Sequence, residues 1–196
     1  SESDGLFGVL DLGGSRVFGT SSTLTNIHSH VVSTGADQWS SYEVQGRMQI
    51  ADAPSGIGIT AYSQFPQADV YYRLRRYGAG AFEVAPHGTT VSCSPANTGV
   101  VPVAASWYRF RFEVMPNGSS NSIRAKVWQE GAVEPVEWQV SCTDTNANRP
   151  THGTIGVWSM GSGQNAWDDL SVYLLGGSVP PPTPTTPQPP ILLSID

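Results

Sequence analysis

The stretch Trp107-Tyr-Arg-Phe-Arg-Phe-Glu-Val-Met115 sets Tyr108, Phe110 and Phe112 on one parity against Trp107, Arg109 and Arg111 on the other. Residues 122–129 repeat the pattern, with Ile123, Ala125 and Val127 opposing Arg124, Lys126 and Trp128, and residues 153–173 carry it a third time. A period of two belongs to strands that bury one face and show the other to solvent. Between the first two segments lies Met115-Pro-Asn-Gly-Ser, whose Asn-Gly pair tolerates positive φ at both turn positions, so a tight hairpin is expected there. Asn117-Gly118-Ser119 also meets the N-glycosylation pattern, but the turn is sufficient to explain it. The outward parity is dense in cationic and aromatic side chains, which suits a binding surface.

Working upstream, Val70, Tyr72 and Leu74 alternate with Tyr71, Arg73 and Arg75, and a turn then leads into Phe82 and Val84. Ile57, Ile59 and Ala61 form one further strand parity, and Tyr42, Val44, Met48 and Ile50 another. Residues 5–20 read as one or two short strands broken at Gly13-Gly14, residues 20–34 as a polar stretch holding His28 and His30, and Cys93 sits in a weak strand. About ten to eleven strands at roughly ten-residue spacing give an all-β chain, an antiparallel two-sheet sandwich of the jelly-roll kind. No helix of convincing length is expected.

Composition agrees. Only 13% of the 196 residues are charged, Gly (21) and Pro (15) are abundant, and Lys126 is the single lysine, a balance foreign to helical bundles. The formal charge of −6 repels a phosphate backbone, so no nucleic-acid partner is expected. No apolar run approaches the ~18 residues of a membrane helix, so no membrane span is expected either. The chain starts at Ser1 instead of Met, which suits a mature exported form that has lost its leader. A secreted or cell-surface location follows as an expectation. Cys93 and Cys142 are too few for a four-ligand zinc site; they read as a disulfide of an exported protein, with two buried free thiols as the alternative.

The organisation expected is a sandwich domain over residues 1–176, a Pro/Thr-rich linker over 177–190 and a short apolar strand over 191–196. Seven of the eleven residues from Pro180 to Pro190 are proline, which favours an extended polyproline spacer. Thr183, Thr185 and Thr186 are candidate O-glycan acceptors on it, or the run is a bare linker. Ile191-Leu-Leu-Ser-Ile-Asp196 is either the first strand of a following domain or a strand that docks on a neighbouring copy of the chain.

Glycan hydrolysis on a sandwich needs two carboxylates across one cleft. No Glu-x-Asp-x-x-Glu strand occurs and Glu113 is the only acidic residue in the strongest strand, so the chain is not expected to be an enzyme. No Gly-x-Ser-x-Gly elbow supports a serine hydrolase. His28 and His30, one residue apart, suit a metal together with His87 or His152, although exposed loop histidines are the simpler account. Asp11 lies in the first strand and Asp168-Asp169 open the last long one; first and last strands of jelly rolls commonly pair, so these three are the candidates for a structural calcium ion.

The strand sequences Trp107-Tyr-Arg-Phe-Arg-Phe-Glu-Val, Ile123-Arg-Ala-Lys-Val-Trp, Glu134-Pro-Val-Glu-Trp, Gly153-Thr-Ile-Gly-Val-Trp and Trp167-Asp-Asp-Leu-Ser-Val-Tyr resemble the core of the concanavalin A-like lectin/glucanase superfamily, especially laminin-G-like modules of bacterial secreted proteins. The resemblance spans about residues 5–175. It implies two curved antiparallel sheets, a ligand groove on the concave face or at edge loops, and frequently calcium. Sugar recognition needs flat aromatic faces and planar polar groups. Tyr71, Arg73, Arg75 and Trp128, on outward parities of strands that look adjacent, are the candidate groove, unless some of these rings are buried. The function expected is therefore a non-catalytic extracellular carbohydrate-binding or adhesion module with a polysaccharide or glycan as partner. The alternative is a structural subunit of an extracellular fibre or sheath, joined through residues 191–196.

Overall fold

The computed structural model describes residues 3–161 and 163–176, and these form two antiparallel sheets packed face to face. In chain order the strands are β1 (Gly8–Leu12), β2 (Ser15–Thr20), β3 (Ile27–His30), β4 (Tyr42–Ile50), β5 (Gly56–Ser63), β6 (Tyr72–Arg76), β7 (Glu83–Val84), β8 (Ser92–Cys93), β9 (Trp107–Asn117), β10 (Ser120–Gln129), β11 (Val140–Asp144), β12 (Thr154–Met160) and β13 (Asn165–Leu174). The larger sheet runs β1-β2-β13-β4-β9-β10-β11-β8 and the smaller β3-β12-β5-β6-β7. The helical content of the described residues is two three-residue 3-10 turns. The linker, its threonines Thr183, Thr185 and Thr186, and the segment 191–196 lie outside the described residues.

The period-two parities become the core. Tyr42, Val44 and Met48 of β4, Phe110, Phe112 and Val114 of β9, and Ile123, Ala125 and Val127 of β10 meet Ile57, Ile59 and Ala61 of β5, Tyr72 and Leu74 of β6, and Val157 of β12. Phe112 is fully buried, and truncating it to alanine removes an aromatic ring from close-packed surroundings at a cost of about 3–5 kcal/mol.

The β9–β10 hairpin forms as expected, but its turn sits one residue later than the Asn-Gly reading. Asn117 pairs with Ser120, Gly118-Ser119 are the two loop residues, and of these only Gly118 has positive φ (60°). That is the pattern of a II′ turn, with glycine at its first position. The stretch over residues 20–34 also differs from expectation, because Ile27–His30 forms an edge strand against β12. First and last strands are not neighbours: β2 lies between β1 and β13.

A disulfide and a polar knot tie the far edge of the larger sheet. Cys93 stands directly opposite Cys142 in the β8–β11 register and the two are bonded, S–S 2.00 Å, 49 residues apart in sequence. β8 has only two residues, so the covalent link supplies what so short a ladder lacks. Inside the sandwich, the fully buried Asp144 accepts from Tyr72 Oη (2.8 Å), Thr89 Oγ1 (2.7 Å) and the Asn146 backbone N–H (2.8 Å). Asn121 Nδ2 of β10 donates in turn to Tyr72 Oη at 2.8 Å, so the knot joins the two sheets.

Candidate functional site

The outward residues of β10, β9, β4 and β13 stand in rows across the larger sheet. One row is Trp128, Arg109, Arg47, Asp168; the next is Lys126, Arg111, Gln45, Ser171; the third is Arg124, Glu113, Glu43, Tyr173. Like charges stand side by side within these rows, Arg109 beside Arg47, Lys126 beside Arg111 and Glu113 beside Glu43, and ion pairs with nearby opposite charges hold the long side chains. Arg47 bonds Asp168 at 2.6 Å and Glu130 at 3.1 Å; Arg109 bonds Glu130 at 2.8 Å; Arg111 grips both oxygens of Glu43 at 2.8 Å; and Arg124 Nε reaches Glu113 at 2.7 Å. Gln45 also donates to Glu43. The Asp168 carboxylate raises the pKa of Arg47, so this guanidinium stays charged at any pH at which the protein folds.

Two further devices shape this face. The loop after β10 folds over it: Lys126 Nζ reaches the Pro135 carbonyl at 2.9 Å and the Glu134 carboxylate at 2.6 Å, which holds the Glu134 pKa down. Trp138, at the end of that loop, lies against Arg124 (4.9 Å from ring centroid to guanidinium carbon) and Lys126 Nζ (5.3 Å). On the opposite side, the β13–β4 register slips between Asp168 and Ser171, and Asp169 takes φ 55°. A bulge re-aims a side chain, and here Asp169 joins Asp168 on the outer face, 3.4 Å from Arg109. Between loop and bulge lies a groove of about 380 Å³ lined by Arg109, Trp128, Glu134, Asp169, Ser171 and Tyr173. It offers two aromatic rings together with fixed cationic donors and carboxylate acceptors.

The outer face of the smaller sheet is different. Tyr71 is fully buried, stacked on His87 (5.0 Å, 15°) and flanked by His28 and His30, while Phe65 stacks on His30 (5.3 Å, 20°). Burial, reinforced by His28, lowers the His30 pKa to about 4. Arg73 and Arg75 both lie against Trp158, and Arg75 pairs with Glu83 at 3.2 Å.

Tyr71, Arg73, Arg75 and Trp128 therefore do not share one groove. The first three are on the smaller sheet and Trp128 is on the larger, because β6 and β10 alternate alike but pair with different partners. Burial of the Tyr71 ring and of Arg73 matches the alternative stated for them. The calcium candidates do not converge on one ion. Asp168 and Asp169 are engaged by Arg47 and Arg109, and Asp11, across the intervening β2, accepts the Gly14 N–H at 3.0 Å. Among the described residues no group of three His, Cys, Asp or Glu side chains is placed to hold a metal ion, His28 and His30 included. Sequence reasoning found Trp128 and the Arg109/Arg111 parity and named Asp169 only as a calcium candidate, but passed over Glu43, Glu134 and Tyr173. Only register, a loop crossing and a bulge bring these into place.

No family model and no curated protein matches the chain. Solved structures do. A protein of unknown function with a galectin-like fold from Bacillus subtilis is similar at 12% identity and TM-score 0.56, covering 85% of this chain and 86% of that one. The carbohydrate-binding module CBM66 from Bacillus subtilis follows at 9% identity and TM-score 0.45, covering 85% and 91%. A GH131 β-glucanase catalytic domain from Podospora anserina matches at 12% identity and TM-score 0.44, covering 91% and 82%. The expectation that the chain is not an enzyme is corrected, because its physical premise fails: Glu113, taken as solitary, stands directly opposite Glu43 on β4, a pairing that no linear motif displays. At these identities the likeness concerns architecture alone: the chain is an all-β, two-sheet sandwich similar in fold to the galectin-like protein.

Proposed function

We propose that this chain is an exported carbohydrate-binding protein that takes a glycan in the groove on the outer face of its larger sheet. The observation that carries the proposal is the groove between Trp128 and Tyr173, with Arg109, Glu134 and Asp169 converging on it. Aromatic faces stack on the C–H surface of a sugar ring, while planar charged groups fixed by mutual ion pairs donate to and accept from its hydroxyls. The galectin-like fold, the resemblance of the strand sequences to laminin-G-like modules and the disulfide, a bond of oxidising compartments, all support the same reading.

A glycan array, followed by calorimetry on the best binder, tests it. Trp128→Ala is expected to weaken binding about 10- to 100-fold, the loss of roughly 1.5–3 kcal/mol of ring burial. Val32→Ala, an exposed position just beyond β3 of the other sheet, serves as a control and leaves glycan affinity unchanged. A chelator is expected to have no effect, since Asp168 and Asp169 are already occupied by guanidinium groups. Unchanged affinity in Trp128→Ala refutes the placement of the site.

A further inference from the structure

Arg73 is a cation that the fold buries without a counter-charge. It is 6% exposed, and its Nε donates to the Ala85 carbonyl at 3.3 Å. Its guanidinium carbon lies 5.4 Å from the centroid of Tyr71 and 5.1 Å from that of Trp158. Aromatic faces attract a cation from above and below but accept nothing in the plane where the N–H groups point. Among the described residues no carboxylate pairs with it, and the nearby acids are already engaged: Glu83 by Arg75 at 3.2 Å, and Asp69 by His87 at 2.8 Å. Only one of the five N–H groups of Arg73 has an acceptor, and its terminal nitrogens are not among the side-chain atoms sealed from solvent. Beside it, Tyr71 Oη is buried and has no hydrogen-bond partner.

Desolvation acts to lower the Arg73 pKa, as it must for a charge taken out of water. A buried, unpaired charge destabilises the folded state, and an apolar residue of similar size removes that penalty. The fold therefore keeps a guanidinium with little protein hydrogen bonding in a mostly buried position, a geometry that suits an anionic partner. The guanidinium lies against both rings, and its unused fork matches an oxyanion with two coplanar oxygens.

We infer that the outer face of the smaller sheet binds a small oxyanion, a sulfate or carboxylate group, at the Arg73 guanidinium. This second site lies on the sheet opposite the glycan groove and does not depend on it.

The test compares the wild-type chain with Arg73→Met and Arg73→Lys in thermal melts, at matched ionic strength in sodium chloride, sodium sulfate or sodium glucuronate. The wild type is expected to gain several degrees with sulfate or glucuronate, saturating at millimolar concentration. Arg73→Met is expected to melt at or above the wild type in chloride and to show only the unsaturable rise that sulfate gives any protein. Arg73→Lys keeps the charge but lacks the fork, and its response should be at least fivefold weaker. Sulfate alone acting identifies a free inorganic ion as the ligand, and glucuronate acting as well identifies an acidic sugar or similar carboxylate. Equal responses in wild type and Arg73→Met overturn the proposal. Should Arg73→Met fail to fold, the side-chain N–H resonances of wild-type Arg73 decide: saturable shifts with sulfate support the site and their absence overturns it. Trp128→Ala retains the oxyanion response, so failure here and failure of the glycan groove are read separately.

Discussion

Replacing Asp144 with alanine removes the acceptor at the centre of the inter-sheet knot. Four hydrogen bonds end on this carboxylate, from Tyr72 Oη, Thr89 Oγ1, the Asn146 N–H and Asn146 Nδ2, at 2.7–2.8 Å. A hydrogen bond to a charged acceptor contributes about 1.5–3 kcal/mol, and donors left unsatisfied in the interior add their own penalty. Because the four share one group they do not sum, and a total loss of about 3–5 kcal/mol is expected. For a domain of this size each kcal/mol moves the melting temperature by about 2–4 °C, so calorimetry at pH 7 should show a fall of roughly 10 °C. Acid gives an independent measure. Burial works to raise the Asp144 pKa, but the hydrogen bonds from Asn146, Thr89 and Tyr72 together outweigh it and hold the group below its ordinary value. A depressed native pKa means that the Asp144 contribution is whole above about pH 4 and is lost as pH falls through the lower native value. Wild type and variant should therefore converge in stability below that window. An alanine variant that melts within a degree or two of wild type, or a gap that stays constant down to pH 2, would show that the knot does not hold the sheets together.

Removing the disulfide as Cys93→Ser/Cys142→Ser should lower stability by about 3–4 kcal/mol on the chain-entropy estimate, seen as a reduced guanidinium midpoint. His30, whose native pKa is depressed to about 4 against an unfolded value near 6.5, should make stability decline from about pH 6.5 and level off below about pH 4. His30→Gln should remove that slope from urea titrations across the same range, and an unchanged slope would assign it to other groups. Gly58→Ala should cost about 1–3 kcal/mol, because its methyl group would stand 2.7 Å from the Leu74 carbonyl oxygen across the β5–β6 ladder; an unchanged midpoint would mean that ladder yields freely.

What the sequence showed well was parity, and what it hid was partnership. The alternation from Trp107 to Gln129 contains the β9–β10 hairpin because strand periodicity is local, and the same holds for β4, β5 and β6. Two strands that alternate identically can lie in different sheets, and this is why Trp128 separated from Tyr71, Arg73 and Arg75. The acidic partners were hidden for the same reason, since Glu43 and Glu113 are 70 residues apart and meet only through the β4–β9 register. Edge strand β3 escaped notice because four residues with two outward histidines do not alternate strongly enough to outweigh a polar neighbourhood. The bulge at Asp169 is invisible in a pattern of residue types, since any two adjacent aspartates look alike until one takes positive φ.

The rows across β10, β9 and β4 use every second residue, and the positions between them face the interior; on β13 the bulge interrupts that alternation. Chemistry on this surface can thus drift one substitution at a time while the scaffold beneath keeps its shape. A single architecture of this type can serve quite unrelated ligands, so relatives of this chain are best compared by reading these rows, residue against residue, in place of overall identity.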